Sequence, residues 1–226
     1  MEALKDVNFE VKEKEYVAIM GESGSGKTTL LNILATLDKP TSGSIMLGGK
    51  NILTLKDKEL STFRREQLGF VFQDFNLLDT FTLKDNIILP LVLSEQKLSM
   101  MEERVKEISK ILHIDDILMK YPYEVSGGQK QRAALARAMI TQPKLILADE
   151  PTAALDSKAC NQLLELFEKI NKQGQTILMV THSIKAASHA QRVLFIKDGR
   201  VFHQLYRKDK TFQQMYQQIS DTPIVK

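Results

Sequence analysis

The chain has 226 residues, 43% hydrophobic and 26% charged, with 31 Lys and Arg set against 28 Asp and Glu for a net charge of +3. That composition excludes disorder over most of the length and fits one ordinary globular domain, and so small and evenly spread a charge gives no support to a nucleic-acid partner. Cys160 is the single cysteine, which excludes a disulfide framework or a zinc cluster and makes a reducing cytoplasm the default.

In chain order, Val7, Phe9 and Val11 alternate with Asn8, Glu10 and Lys12, the pattern of a half-buried strand, followed by a turn over 13–15. Residues 1–20 include Glu2, Asp6, Glu10, Glu13 and Glu15, which does not read as a secretory signal. The run from Tyr16 to Met20 is continuously apolar and stops at Gly21, as strands covered on both faces do in a parallel sheet. Similar runs over 70–72, 145–148, 176–180 and 193–196 predict further strands. Apolar residues at helical spacing over 27–37, 100–112, 128–140 and 157–171 predict crossover helices. Gly48-Gly49 reads as a turn and Asp198-Gly199 as a tight hairpin. Between Gln73 and Pro143 the periodicity is almost wholly helical. The longest apolar run, 87–93, contains Pro90 and falls far below the ~20 residues that span a bilayer.

Gly21-Glu22-Ser23-Gly24-Ser25-Gly26-Lys27-Thr28 fits G-x-x-x-x-G-K-[ST] directly after an apolar strand and at the opening of a helix, where that spacing has physical meaning. Glycines let the backbone aim several N–H groups inward at phosphate, and the helix dipole adds positive potential. Lys27 can then reach the β- and γ-phosphates, Thr28 can offer its hydroxyl to Mg²⁺, and Thr29 can hydrogen-bond phosphate beside it. The plain alternative is a glycine-rich turn without ligand, which the flanking strand and helix disfavour.

Ser126-Gly127-Gly128-Gln129 opens a second strong helix-forming run, and Ser126 and Gln129 have capping-box spacing. Capping alone does not need two glycines in the first turn, each costing about 1 kcal/mol relative to Ala. They suit close approach of an anion to bare N–H groups. Val125-Ser126-Gly127-Gly128-Gln129 resembles the LSGGQ signature of ATP-binding-cassette ATPases, with Val in place of the first Leu, and the two motifs stand in that family's order.

The resemblance runs from Met1 to about Gln218. It implies an α/β fold: a RecA-like P-loop core with an N-terminal antiparallel β portion, built from 1–73 and 143–226, and an inserted α-helical signature subdomain over 74–142, all in one nucleotide-binding domain, 1–226. Residues 145–149 are similar to the Walker B strand, which implies Asp149 in the Mg²⁺ shell and Glu150 as the carboxylate that polarises the attacking water. Gln73 matches the glutamine that senses Mg²⁺ and the γ-phosphate side, and His182 matches the switch histidine, with Ser183 where the family usually has an acid. Residues 153–156 resemble the loop along the dimer seam, while a helix N-cap is an equally good local reading of Asp156. His113, His189 and His203 stand outside any motif and read as structural or solvated, and Cys160 and the methionines as packing.

The resemblance further implies that two copies close head to tail on ATP, each phosphate loop facing the other's Ser126 to Gln129 segment. One chain then holds two half-sites and no complete one, and hydrolysis requires the homodimer. A transport role needs a separate permease, which places the chain at the cytoplasmic face of the membrane. Phe75, Leu77, Leu78 and Phe81 lie where the family docks the permease's coupling helix, unless they belong to the insertion's own core. Segments 19–27, 72–78 and 148–157 resemble the macrolide-export and lipoprotein-release branch, and 177–182 and 192–200 most resemble its bacitracin-resistance type, which handles peptide antibiotics. A cell-division type of mechanical switch that moves no substrate shares the same catalytic residues and is the alternative. The short stretch between Gln73 and Ser126 leaves no room for the long coiled coil of chromosome-structure relatives.

Members of this family usually carry another strand and an adenine-stacking aromatic roughly 20 to 25 residues before the phosphate loop, a contact worth about 1–3 kcal/mol. Gly21 leaves no room for it, and Phe9 and Tyr16 read as strand core. The expectation is a truncated chain or a late start, with ATP affinity weaker by about one to two orders of magnitude than in a longer form.

Overall fold

A computed structural model describes residues 3–223; Met1 and Glu2, where the family resemblance begins, lie outside the described residues. Strand β1 (Tyr16–Met20) leads into helix α1 (Lys27–Leu34), and β2 (Met46–Leu47) and β3 (Lys50–Asn51) form a small antiparallel pair. There follow α2 (Asp57–Gln67), β4 (Leu68–Val71), α3 (Leu83–Val92), α4 (Leu98–Ile111) and α5 (Gly127–Met139). The rest is β5 (Leu145–Asp149), α6 (Ser157–Lys172), β6 (Ile177–Val180), α7 (Ile184–Ser188), β7 (Arg192–Lys197), β8 (Arg200–Tyr206) and α8 (Phe212–Ser220). Among the described residues, no helix is long and apolar enough to cross a membrane.

The main sheet has six strands in the order β4-β5-β6-β1-β7-β8, parallel throughout except for β8, which runs antiparallel to β7. The continuous apolar run of β1 follows from this topology. Tyr16, Ala18 and Met20 enter one core with the facing residues of β5, β6 and β7, and Val17 and Ile19 enter a second core on the opposite face with Leu30 and Leu31 of α1. Both faces are covered, so no polar residue can alternate in. The first core continues into Ile87, Leu91, Met101, Val105, Ile108 and Leu135 of α3, α4 and α5, which lie between β4 and β5 in the chain.

The predicted strands and long helices are found with ends shifted by a few residues, as hydrogen-bonded boundaries are. The two turns are also found: Gly48 and Gly49, and Asp198 and Gly199, all have positive φ, the geometry of a tight two-residue hairpin. The strand expected over Val7 to Val11 is a correction. Its alternation is real, since Leu4, Val7, Phe9 and Val11 pack against the second core, yet residues 4–15 lie in no ladder. Alternation reports which side chains face inward; a strand also needs a neighbour to exchange backbone hydrogen bonds. The N-terminal antiparallel portion is therefore the short β2–β3 pair, to which 7–11 adds no strand.

Two packing details fix the helices against the sheet. Gly69 in β4 lies so close to α5 that a Cβ there would stand 2.3 Å from the Ala138 carbonyl oxygen. Because both partners are backbone, Gly69→Ala is expected to lower the unfolding free energy by about 1–3 kcal/mol. An unchanged urea midpoint would contradict this contact. On the other side of the core, His189 meets Glu168 (Nδ1 to Oε1, 2.9 Å), Arg207 donates to the same oxygen at 3.1 Å, and Phe212 of α8 packs on the imidazole at 4.9 Å between centroids. His189 is thus structural, as its lack of motif implied.

Candidate functional site

The C-terminal ends of β4, β5, β6 and β1 lie side by side, and the chain leaves each of them through a segment that carries a candidate residue. At the end of β1, Gly21 is required by close approach: a Cβ there would stand 2.2 Å from the Ile196 carbonyl oxygen. Gly26, with a φ of 97°, turns the loop into α1 from the left-handed region. No side chain caps α1, unlike α3, α5, α6 and α8. Its first-turn N–H groups are the positive end of a helix dipole facing the loop. Lys27 folds over that loop and donates from Nζ to the carbonyls of Gly21 at 2.9 Å and Glu22 at 2.7 Å, with Ser25 Oγ at 3.4 Å. Ser25 is buried, Thr29 half-buried, and Glu22, Ser23, Gly24 and Thr28 are exposed.

Beside the loop, β5 ends in Asp149 and Glu150. Burial pushes the Asp149 carboxyl above its ordinary range, the Glu150 charge pushes the same way, and Lys27 opposes both. Burial likewise lowers Lys27, and the two carboxylates pull it back up. These three groups form one coupled electrostatic cluster. Glu150 sits at a φ of 44°, a left-handed conformation rare for a non-glycine residue, and its N–H donates to the Val180 carbonyl at 2.9 Å. Its carboxylate is held from the neighbouring strand end. Thr181 Oγ1 donates to Oε2 at 3.0 Å, while the His182 backbone N–H and ring Nδ1 reach Oε1 at 2.9 and 2.8 Å. A carboxylate only accepts, so this bond assigns the proton to Nδ1 of His182. Ser183, in place of the expected acid, caps α7 through Ala186 N–H at 3.2 Å.

The second glycine motif opens α5 as expected. Gln129 N–H donates to Ser126 Oγ at 3.3 Å and Ser126 N–H donates to Gln129 Oε1 at 2.9 Å, completing the capping box. Its two glycines differ in cause. A Cβ on Gly128 would stand 2.8 Å from Cβ of Ala159 in α6, so helix packing alone requires it, whereas Gly127 has nothing closer than 3.7 Å. Only Gly127 keeps the sequence argument for a bare N–H. Asp156 caps α6, accepting from Lys158 and Ala159 N–H, both at 2.9 Å. Gln73 follows β4 on an exposed stretch.

The structure therefore gathers the phosphate loop, Asp149, Glu150 and His182 at one edge of the sheet. The Ser126 to Gln129 segment is apart from them: its neighbours are Phe75, Ala154, Leu155 and Ala159, and among the described residues no hydrogen bond or ion pair joins it to 21–29. Sequence reasoning passed over Thr181, which is buried and orients Glu150, and Gln131, which is buried in α5. Gln131 had a legible signal, a polar residue on the same helical face as Leu135 and Ala138.

A buried strand, a glycine loop and an uncapped helix start, with an acidic pair at a neighbouring strand end, define the class of P-loop nucleotide-binding proteins. The profile of the ABC transporter family matches residues 4–153, and the chain belongs to that family. It is 53% identical over 221 residues to the ABC transporter ATP-binding protein YxdL of Bacillus subtilis (strain 168), covering 97% of this chain and 86% of that one. It is 49% identical over 222 residues to the Bacitracin export ATP-binding protein BceA of Halalkalibacterium halodurans, covering 98% and 88%. Among solved structures, the dimeric post-hydrolysis state of the ATP-binding cassette MJ0796 bound to ADP and Pi superposes with a TM-score of 0.81 at 42% identity over 90% of each chain.

Proposed function

We propose that the chain is the ATP-hydrolysing subunit of an ABC transporter, that it powers a separate membrane permease from the cytoplasmic face, and that its cargo is a peptide antibiotic. The observation that carries the enzymatic reading is the carboxylate of Glu150, fixed by Thr181 and His182 beside Lys27 of the phosphate loop. The similarity to a bacitracin export subunit supports the cargo class.

In this reading the loop from Gly21 to Thr29 binds the ATP phosphates through its N–H groups and Lys27, and Glu150 accepts a proton from the attacking water. His182 holds Glu150 through Nδ1 and reaches toward the γ-phosphate side. Ser126, Gly127, Gly128 and Gln129, with Asp156 along the seam, belong to the other half-site, completed by a second copy of the chain. Their separation from 21–29 within one chain supports that assignment. Closing the homodimer on ATP places donors on both sides of the γ-phosphate, which is where charge develops.

The donors available for Mg²⁺ fit that ion. Among the described residues no group of three or more His, Cys, Asp and Glu could hold a metal. What the site offers is the Thr28 hydroxyl, the Gln73 amide oxygen and the Asp149 carboxylate, hard oxygen donors with few charges, as Mg²⁺ on a nucleotide takes. Two carboxylates at the end of β5 that repel each other further favour a cation there. When bound, the ion neutralises phosphate charge and offsets the charge that develops in the transition state.

The helices between 74 and 142 form the subdomain that docks the permease. Of the four apolar residues after Gln73, Leu77 packs on the core and Phe75 is half-buried, while Leu78 and Phe81 are 44% and 39% exposed. Asn86 pins this loop, accepting from Leu78 N–H at 2.7 Å and donating to the carbonyls of Leu78, Phe81 and Thr82. The exposed pair is the contact for the permease. ATP hydrolysis in proteoliposomes with the co-encoded permease is expected to rise on addition of a bacitracin-like peptide. Hydrolysis that needs the permease yet ignores such peptides would contradict the cargo class and favour a mechanical switch.

A further inference from the structure

Gln131 lies wholly buried on the inner face of α5. A primary amide is costly to bury unless both of its ends find partners. Only one end does. Nε2 donates to the Phe72 carbonyl at 3.1 Å and to the Pro151 carbonyl at 2.7 Å. Oε1 is, among the described residues, the one buried side-chain oxygen or nitrogen without a hydrogen-bond partner. Because both partners are carbonyl oxygens, exchanging the two ends of the amide would lose both bonds. A methionine would fill the same space without a stranded oxygen, so what the glutamine adds is the joining of two carbonyls.

Those carbonyls are not arbitrary. Phe72 immediately precedes Gln73, and Pro151 immediately follows Glu150. The helix that bears Gln131 is the one that Ser126 caps. One amino group thus ties together the three segments that carry Gln73, Glu150 and the Ser126 motif. Further along α5, Arg137 donates to the carbonyls of Phe75 at 3.0 Å and Asn76 at 2.5 Å, where two consecutive residues have positive φ. Gln131 and Arg137 bind the stretch after β4 to α5, and the 2.7 Å bond to Pro151 carries that fixation across to the end of β5. There Glu150 holds a left-handed φ that surrounding structure must maintain.

We infer that Gln131 is a positioning residue for ATP hydrolysis: through Nε2 it fixes the segments of Gln73 and Glu150 to one point on α5 and so sets the spacing of those two side chains across the γ-phosphate. This rests on the function proposed above. Wholly buried, Gln131 acts through the two backbone carbonyls it holds.

The test compares the full chain with its Gln131→Met and Gln131→Glu variants, with turnover counted per ATP-binding molecule. Gln131→Met is expected to lower kcat about tenfold or more, with KM for ATP within about twofold, because the two segments drift apart; Tm falls as well, since the Phe72 and Pro151 carbonyls lose their donor. A purely structural role predicts the fall in Tm alone, with kcat per competent molecule unchanged, and that result overturns the inference. Gln131→Glu keeps a donor only when protonated, so its kcat relative to the parent should recover as pH falls from about 8 to about 6. A flat ratio overturns the inference even if the Met variant fails to fold. If the parent chain itself hydrolyses no ATP, the proposed function falls and takes the inference with it; if the parent is active and Gln131→Met matches it, the inference alone falls.

Discussion

Glu150→Gln is expected to abolish steady-state ATP hydrolysis, by about a hundredfold at least, while leaving ATP affinity within about twofold. The carboxylate accepts three hydrogen bonds, from Thr181, from the His182 N–H and from its ring. An amide of the same shape supplies one accepting oxygen and sets an NH₂ against at least one of those donors, so the side chain loses both its basicity and its alignment. Nucleotide binding is carried by the loop and by Lys27 at the end of a different strand, and there the substitution removes only a neighbouring negative charge. Wild-type turnover in the variant, measured by phosphate release, would remove Glu150 from the chemistry.

Lys27→Ala acts on the other half of the reaction. Nζ now holds two loop carbonyls, and it is the one formal positive charge from the loop side of the cluster with Asp149 and Glu150. Without it, ATP phosphate meets that acidic pair uncompensated, and a charge-assisted contact is lost as well. The expected loss is about 1.5–3 kcal/mol, roughly 10- to 150-fold in affinity by calorimetry. Lys27→Arg should not rescue it, because a planar fork cannot take the place of a compact ammonium folded into the loop. Unchanged ATP affinity in Lys27→Ala would show that the loop backbone alone binds the phosphates.

Much of this site was legible because it rests on short-range rules. The glycine loop, the strand before it and the helix after it are adjacent in the chain, and the capping box of Ser126 and Gln129 spans four positions. The parallel core was legible too, since strands buried on both faces read as unbroken apolar runs. What escaped depends on residues far apart in the chain. Val7 to Val11 shows strand-like alternation, but whether a ladder forms is decided by a neighbour that no local pattern reveals. Gly128 looked like a feature of anion binding alone, and its contact with Ala159 appears only when α5 and α6 pack. The hold of Thr181 and His182 on Glu150 crosses from β6 to β5, and nothing near Thr181 in the chain announces it.

The most direct test of a site shared between two copies is the mass in solution of the Glu150→Gln chain with and without ATP. Each chain weighs 25.7 kDa. If Ser126 to Gln129 completes the phosphate site of a second copy, sedimentation with ATP and Mg²⁺ gives a species of twice that mass, and without ATP a single chain. A variant that binds ATP and stays at the mass of one chain at every concentration would contradict it.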